Sequence, residues 1–256
     1  MRLSATVVAQ DEAERLGDCI ESVRGFCDEV LVVDGGSRDA TAQIAGRLGA
    51  RVVQRPFDDF ARQHEFARSQ ARGEWILSID ADERASPELA AAAAAAMGRS
   101  AAAYALPFKN HFRGIWLRHG GFWPDRHVRL FRKDRCRYDP ARSVHERLLV
   151  DGSTERLDAP IVHHTWGSLA QCLAKMERYG ERAAQALFAE GRRAGAWEVA
   201  ARPLWRFVRG YLLRGGFLDG AAGAAMAWAR AYEAYARYGR LWELSRVPES
   251  ARDALR

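Results

Sequence analysis

Through its first hundred residues the chain alternates apolar, β-branched runs with amphipathic ones, and few folds accommodate that rhythm. RLSATVVA, DEVLVVDGG, RVVQRPF and EWILSID read as strands; EAERLGDCIESVRG, SRDATAQIAGRLGA, DFARQHEFARSQARG and SPELAAAAAAAMG read as the helices that follow them in turn. In the first helix Leu16, Cys19, Ile20 and Val23 recur on one face. Asp39 is placed as N-cap of the second helix and Gly49 as its stop; Gly73 closes the third. Ser86 caps the fourth, with Pro87 in its first turn. Strands alternating with helices of this length predict βαβ units, hence an α/β fold with a mostly parallel sheet flanked by helices.

Such sheets bind ligands at the carboxyl ends of their strands. This chain sets acids there: Asp11 and Glu12 after the first strand, Asp34 after the second, and Asp80, Asp82 and Glu83 after the fourth. Any one of them is explained as a helix cap, but three strand ends on one edge point to a shared site. Asp80 and Asp82, one alanine apart, repel when bare. A divalent cation, Mg2+ or Mn2+, relieves that repulsion and takes substrate phosphates as its remaining ligands. The pocket is therefore expected to hold a metal and a diphosphate. Neither a Gly-x-x-x-x-Gly-Lys-Ser/Thr loop nor a Gly-x-Gly-x-x-Gly after the first strand is present, which counts against ATP-hydrolysing and dinucleotide sites.

The character changes past Gly98. An aromatic, basic, glycine-punctuated stretch gives way at SLAQCLAKMERYGERAAQALFAE to helices. Three regions result: 1–100, 101–166, and a helical C-terminal region, 167–256. The balance of 48% hydrophobic and 28% charged residues is globular, and the formal charge of +6 favours anionic partners. Cys19, Cys27, Cys136 and Cys172 form no CxxC pair and read as free thiols of a reducing compartment. LSATVVA is too short for a signal-peptide core, and no apolar stretch reaches the ~18 residues of a membrane span. A cytoplasmic location is expected.

TVVAQDEAERLGDCIESV, VLVVDGGSRDATAQIA and FARQHEFARSQARGEWILSIDADERASPEL, in this order, resemble family 2 glycosyltransferases of the GT-A fold. RHVRLFRKD, SVHERL, IVHHTWGSL and RPLWRFVRGYLLRGGFLDGAAGAAMAWARAYEAYARY are similar, more narrowly, to the bacterial lipopolysaccharide inner-core heptosyl beta-1,4-glucosyltransferase group. Relatives with other acceptors, a lipid carrier or a peptide, share that architecture. The resemblance implies a GT-A nucleotide-binding sheet and a metal-dependent, inverting transfer of a sugar, glucose in the named group. The donor is a nucleotide sugar, most commonly a UDP-sugar, and the acceptor a lipid-linked glycan. By position, Asp34 would meet the base, with Gln10 and Glu12 lining the same pocket; Asp11, where many relatives have Asn, is left out of it. Asp80 would contact the ribose and the metal's surroundings, and Asp82 the metal. Arg62 and Gln63 fall in the segment facing the nucleotide.

An inverting displacement needs a carboxylate to take the acceptor's proton. Glu146 in SVHERL lies where the resemblance sets that base, and Asp125 in FWPDRHVRLF is its rival. Of the pair His163 and His164, His163 is placed to complete the metal site or the diphosphate contact; the metal role favours Mn2+ because imidazole suits Mg2+ poorly. Arg129 is read either as neutralising the leaving diphosphate or as a solvated edge-strand charge. From Arg192 the mixture of Trp, Phe, Leu and Arg fits an interfacial helix on an anionic membrane surface. Two other classes remain: a nucleotidyltransferase, whose glycine- and arginine-rich first loop is missing, and a basic surface protein whose acids are caps. Nucleic acid is not an expected partner.

Overall fold

The computed structural model describes residues 1–139 and 147–246. Strands β1 (Leu3–Ala9), β2 (Glu29–Asp34), β3 (Arg51–Gln54) and β4 (Trp75–Ser78) lie parallel in the order β3-β2-β1-β4. Helices α1 (Leu16–Val23), α2 (Thr41–Arg47) and α3 (Phe60–Gln70) connect them. β2 is buried along its whole length, as a central parallel strand covered on both faces must be. The two-residue period divides its side chains. Val30 and Val32 join Leu3, Val7, Trp75 and Leu77 on one face, while Leu31 and Val33 join Ile76, Ala67 and Phe131 on the other. The face of α1 read from the sequence is the buried one.

The sheet continues past β4 with reversed direction. β5 (Glu83–Ala85) and α4 (Leu89–Ala96) follow the acid cluster, then β6 (Ala103–Phe112), β7 (Ile115–Trp116) and β8 (Asp125–Arg132). A small antiparallel pair, β9 (Cys136–Tyr138) and β10 (Leu148–Val150), precedes β11 (Thr154–Arg156) and β12 (Ile161–Trp166). The main path of the sheet is β3-β2-β1-β4-β8-β6-β12-β5, with β8 antiparallel to both β4 and β6 and with β7 and β11 also paired to β6. The fold class is thus the expected α/β sheet flanked by helices, with a helical C-terminal extension.

Three local readings shift. Asp39 lies one residue before the N-cap position, yet its carboxylate accepts from the Thr41 amide at 2.9 Å, so it still caps α2. Gly73 does not end α3, which stops at Gln70; a Cβ on Gly73 would stand 2.6 Å from the Ser4 amide, so close packing on β1 demands the glycine. Ser86 contributes to the start of α4 through its carbonyl, which accepts from the Leu89 amide at 3.0 Å. Gly49, with φ of +82°, does stop α2. All four cysteines are free.

The chain divides into two compact units, residues 1–109 with 124–163, and residues 110–123 with those from 164 onward. The second contains α5 (Leu169–Ala189), α6 (Ala196–Val208) and α7 (Gly220–Arg246). Phe112, Leu117, Phe122, Cys172, Ala222 and Met226 form its main core. None of the described helices is long and apolar enough to cross a membrane.

Candidate active site

The loops after β1 and β2 are tied together by hydrogen bonds. Asp34 is buried and accepts from both the amide and the hydroxyl of Ser37. Ser37 Oγ in turn accepts from the Asp11 amide at 3.0 Å, and Asp11 Oδ1 accepts from the Arg38 amide at 2.8 Å. Asp11 has φ of +56°, a conformation that aspartate tolerates better than most residues. The Glu12 amide donates to Thr41 Oγ1 at 2.8 Å. Gly35 lets the chains close up, since a Cβ there would stand 3.1 Å from Gln10 Cβ. Gln10 is exposed and Glu12 half-buried beside these loops.

Arg62 and Gln63 are neighbours on α3 in different surroundings. Gln63 is fully buried in α3, its amide oxygen accepting from Arg55 Nη1 at 2.8 Å and its nitrogen donating to the Arg55 carbonyl at 2.9 Å. Both ends of the amide are thereby committed to Arg55. Arg55 grips Asp58 with two nitrogens at 2.8 Å each. Arg62 is exposed and pairs with Asp58 and Asp59 on the same surface.

At the end of β4 the chain turns on itself through Asp80 and Glu83. The Glu83 amide donates to the Asp80 carbonyl at 2.9 Å, and the Asp80 amide donates to Glu83 Oε2 at 3.0 Å. Glu83 is 0% exposed, and the cation that answers it is Arg129, with Nη2 2.7 Å from Glu83 Oε1 and 2.8 Å from Asp80 Oδ2. The pairing of β6 with β8 explains how Arg129 arrives there. Tyr104 opposes Leu130 and Ala105 opposes Val128, so Arg129 is the extra residue of a bulge. Bulges re-aim side chains. Arg129 therefore belongs to an interior strand and is neither solvated nor at an edge, which overturns that alternative.

The electrostatics follow from this geometry. Burial alone would raise the Asp80 carboxyl, but the Arg129 guanidinium, helped by His64 and His163, outweighs it and holds Asp80 below the usual carboxylate range. Burial pushes Glu83 well above its ordinary value; Arg129 offsets this only in part, and the charge on Asp80 adds to it. Burial disfavours the charge on Arg129, yet Asp80 and Glu83 keep the guanidinium protonated. Glu12 is raised, first by burial and then, against the pull of Arg15, by Asp82, Asp39 and Asp80. The first and fourth strand ends thus share one negative field.

His163 Nε2 lies 3.4 Å from Asp82 Oδ2, both side chains mostly buried. Register sets this up, since β12 pairs with β5 so that His163 opposes Glu83. Among the described residues, Asp82, Glu83 and His163 bring ligand atoms within 4.8 Å of one another. Asp80, expected among the ligands, is not in that group, and its carboxylate faces Arg129. Two carboxylates with one imidazole are a donor set that fits Mn2+ and fits Mg2+ less well. Phe108 braces the surroundings: Arg129 lies over its ring at 5.2 Å, and the rings of His163 and His127 meet it edge-on at 5.7 and 5.0 Å. Asp125, at the start of β8, sits 3.1 Å from His127 Nε2. Glu146 lies outside the described residues. Glu83, counted among the strand-end acids, was given no role of its own by the sequence. Its signal was an acid immediately after Asp-x-Asp with an arginine on a later strand, and only the pairing of strands joins the two.

The family model described as glycosyl transferase family 2 matches residues 4–147, more than half of the chain. The lipopolysaccharide core biosynthesis glycosyltransferase LpsC of Rhizobium meliloti (strain 1021) is 28% identical over 261 residues, covering 92% of this chain and 93% of its own. An uncharacterised glycosyltransferase of Rickettsia bellii (strain RML369-C) is 28% identical over 265 residues, covering 95% and 87%. Among solved structures, mannosyl-3-phosphoglycerate synthase from Rubrobacter xylanophilus overlays 43% of this chain and 41% of its own, at 24% identity and a TM-score of 0.39. By the extent of the family-model match, the protein belongs to glycosyl transferase family 2.

Proposed function

We propose that this protein is a metal-dependent, inverting glycosyltransferase that moves a hexose from a nucleoside-diphosphate sugar to a lipopolysaccharide-core or other envelope-glycan acceptor. The observation that carries the reading is the Asp82–His163 pair, 3.4 Å apart and next to the Arg129-neutralised Asp80, at the carboxyl edge of the sheet. Asp34 and Glu12 on the neighbouring strand ends would receive the base and ribose, Gln10 lying beside them. Similarity along nearly the whole chain to a protein named for lipopolysaccharide core biosynthesis supports the envelope acceptor.

Asp82 and His163 would hold Mn2+ or Mg2+, with Glu83 as the third candidate ligand. Bound there, the ion would supply Lewis-acid stabilisation of charge on the departing diphosphate. The chain's own contribution is positional. Arg129 fixes Asp80 in its charged form and so orients the turn that presents Asp82. The proton of the acceptor hydroxyl goes to a carboxylate, Glu146 or Asp125; His127 Nε2, 3.1 Å from Asp125 Oδ1, would orient that carboxylate.

Titration with UDP-glucose, with and without Mn2+, tests the reading. Asp82→Asn and His163→Ala should abolish the Mn2+ enhancement of donor affinity and slow transfer roughly a hundredfold or more. Donor affinity indifferent to Mn2+ in the native protein, or untouched by both substitutions, would sink it. Glu146→Gln and Asp125→Asn, compared side by side, identify the base as the one that retains donor binding and loses turnover.

A further inference from the structure

Helix α6 and the π-helical turn Arg209–Leu213 that extends it are built inside out. Trp197, Leu204, Trp205, Leu212 and Leu213 recur at helical spacing, and each is more than half exposed. Trp228 on α7 is 64% exposed in the same helical unit, its ring 4.4 Å from Phe207. Meanwhile α7 takes the charged flank of α6: Arg202 lies over Tyr238 at 5.3 Å, and Arg206 Nη2 stands 4.0 Å from Glu233. No residue of α6 is buried. Water selects the opposite arrangement, in which the apolar stripe faces the neighbouring helix. Exposed apolar residues gathered on one helical surface call for a non-aqueous neighbour.

Charge identifies that neighbour. Between residues 192 and 217 the chain carries six arginines and one glutamate. Arg192, Arg193, Arg206, Arg209 and Arg214 are all exposed. A second copy of this chain docked on the same surface would set arginine against arginine, a juxtaposition that costs affinity. An anionic phospholipid surface satisfies both features, since tryptophan and leucine enter the headgroup boundary while arginine meets the phosphates.

We propose that α6, its π-helical extension and the Trp228 face of α7 form a membrane-docking surface that lies on an anionic bilayer without crossing it. The inference extends the proposed function by naming the lipid partner, but it stands on residues remote in sequence from the donor site. Failure of one test therefore leaves the other standing.

The test uses the full-length protein and sedimentation with two kinds of vesicle, phosphatidylcholine alone and phosphatidylcholine with about one-third phosphatidylglycerol. The protein should pellet with the anionic vesicles and much less with the neutral ones, and raising salt from about 0.1 M to about 1 M should release it. Trp205→Glu and Leu213→Glu, both at exposed positions, should each lower the partition coefficient roughly tenfold or more. Their melting temperature and UDP-glucose affinity should stay at the native values. Absence of pelleting by the native protein, pelleting indifferent to lipid charge and salt, or pelleting unaffected by both substitutions would each overturn the proposal. So would a stable dimer that ignores vesicles and dissociates on Leu213→Glu, which would assign the surface to a second copy.

Discussion

Glu29 opens β2 with its side chain only 5% exposed, and three donors from separate segments converge on it. They are the Ser4 hydroxyl, Arg51 Nε at 2.9 Å and the Arg72 amide at 2.8 Å. Burial alone would raise this carboxyl; the three hydrogen bonds outweigh it and hold the group below its ordinary 4.5. A depressed folded-state value means that the unfolded chain binds the proton more readily, so the contribution is complete above that ordinary value and is lost as pH falls through the folded one. Glu29→Gln should cost about 1–3 kcal/mol at neutral pH and flatten the acid limb of stability as pH falls below the ordinary 4.5, measured by urea unfolding. Arg129 poses the reverse case, a cation that two acids need. Arg129→Met leaves Glu83 buried without its partner and should cost about 3 kcal/mol. Adding Glu83→Gln should recover part of that loss, and a strictly additive double variant would show that the two side chains are not coupled.

At the scale of elements, glycine decides how helices approach. Gly180 sits within α5, where a Cβ would stand 2.7 Å from Ala236 Cβ and 2.9 Å from the Glu233 carbonyl of α7. Helix propensity taken alone favours alanine there by about 1 kcal/mol. Close packing against α7 predicts the opposite sign, so Gly180→Ala should destabilise by about 1–3 kcal/mol in denaturant titration. A stabilised variant would show that α5 and α7 do not cross so tightly. The bulge in β8 is the corresponding device in the sheet. It displaces one residue from the ladder with Ala105, and that residue is the arginine that closes the acid cluster.

At the scale of the whole molecule, donor and metal should act as part of the folded state. The acids of the first and fourth strand ends share a field that Arg129 answers at Asp80 and Glu83. UDP-glucose at a hundred times its dissociation constant should raise stability by about 2.7 kcal/mol when Mn2+ is present, and far less with EDTA, read as a thermal shift. Equal shifts in both conditions would argue that the metal plays no part in donor binding. Much of this architecture was legible in the residues. Apolar runs of period two and a helical face of Leu16, Cys19, Ile20 and Val23 establish which segments are strands and which are helices, because burial is a local pattern of side chains along one element. Acids after successive strands likewise mark the candidate site, since parallel strands deliver their carboxyl ends to one edge. Which of those acids are answered from within, and which remain for a ligand, depends on strand pairing. The β4–β8 and β5–β12 registers, with the bulge of β8 against β6, bring Arg129 to Asp80 and Glu83, and His163 to Asp82. The commitment of Gln63 to Arg55 and the outward turn of the α6 tryptophans were decided in the same way, by long-range packing that one-dimensional spacing does not encode.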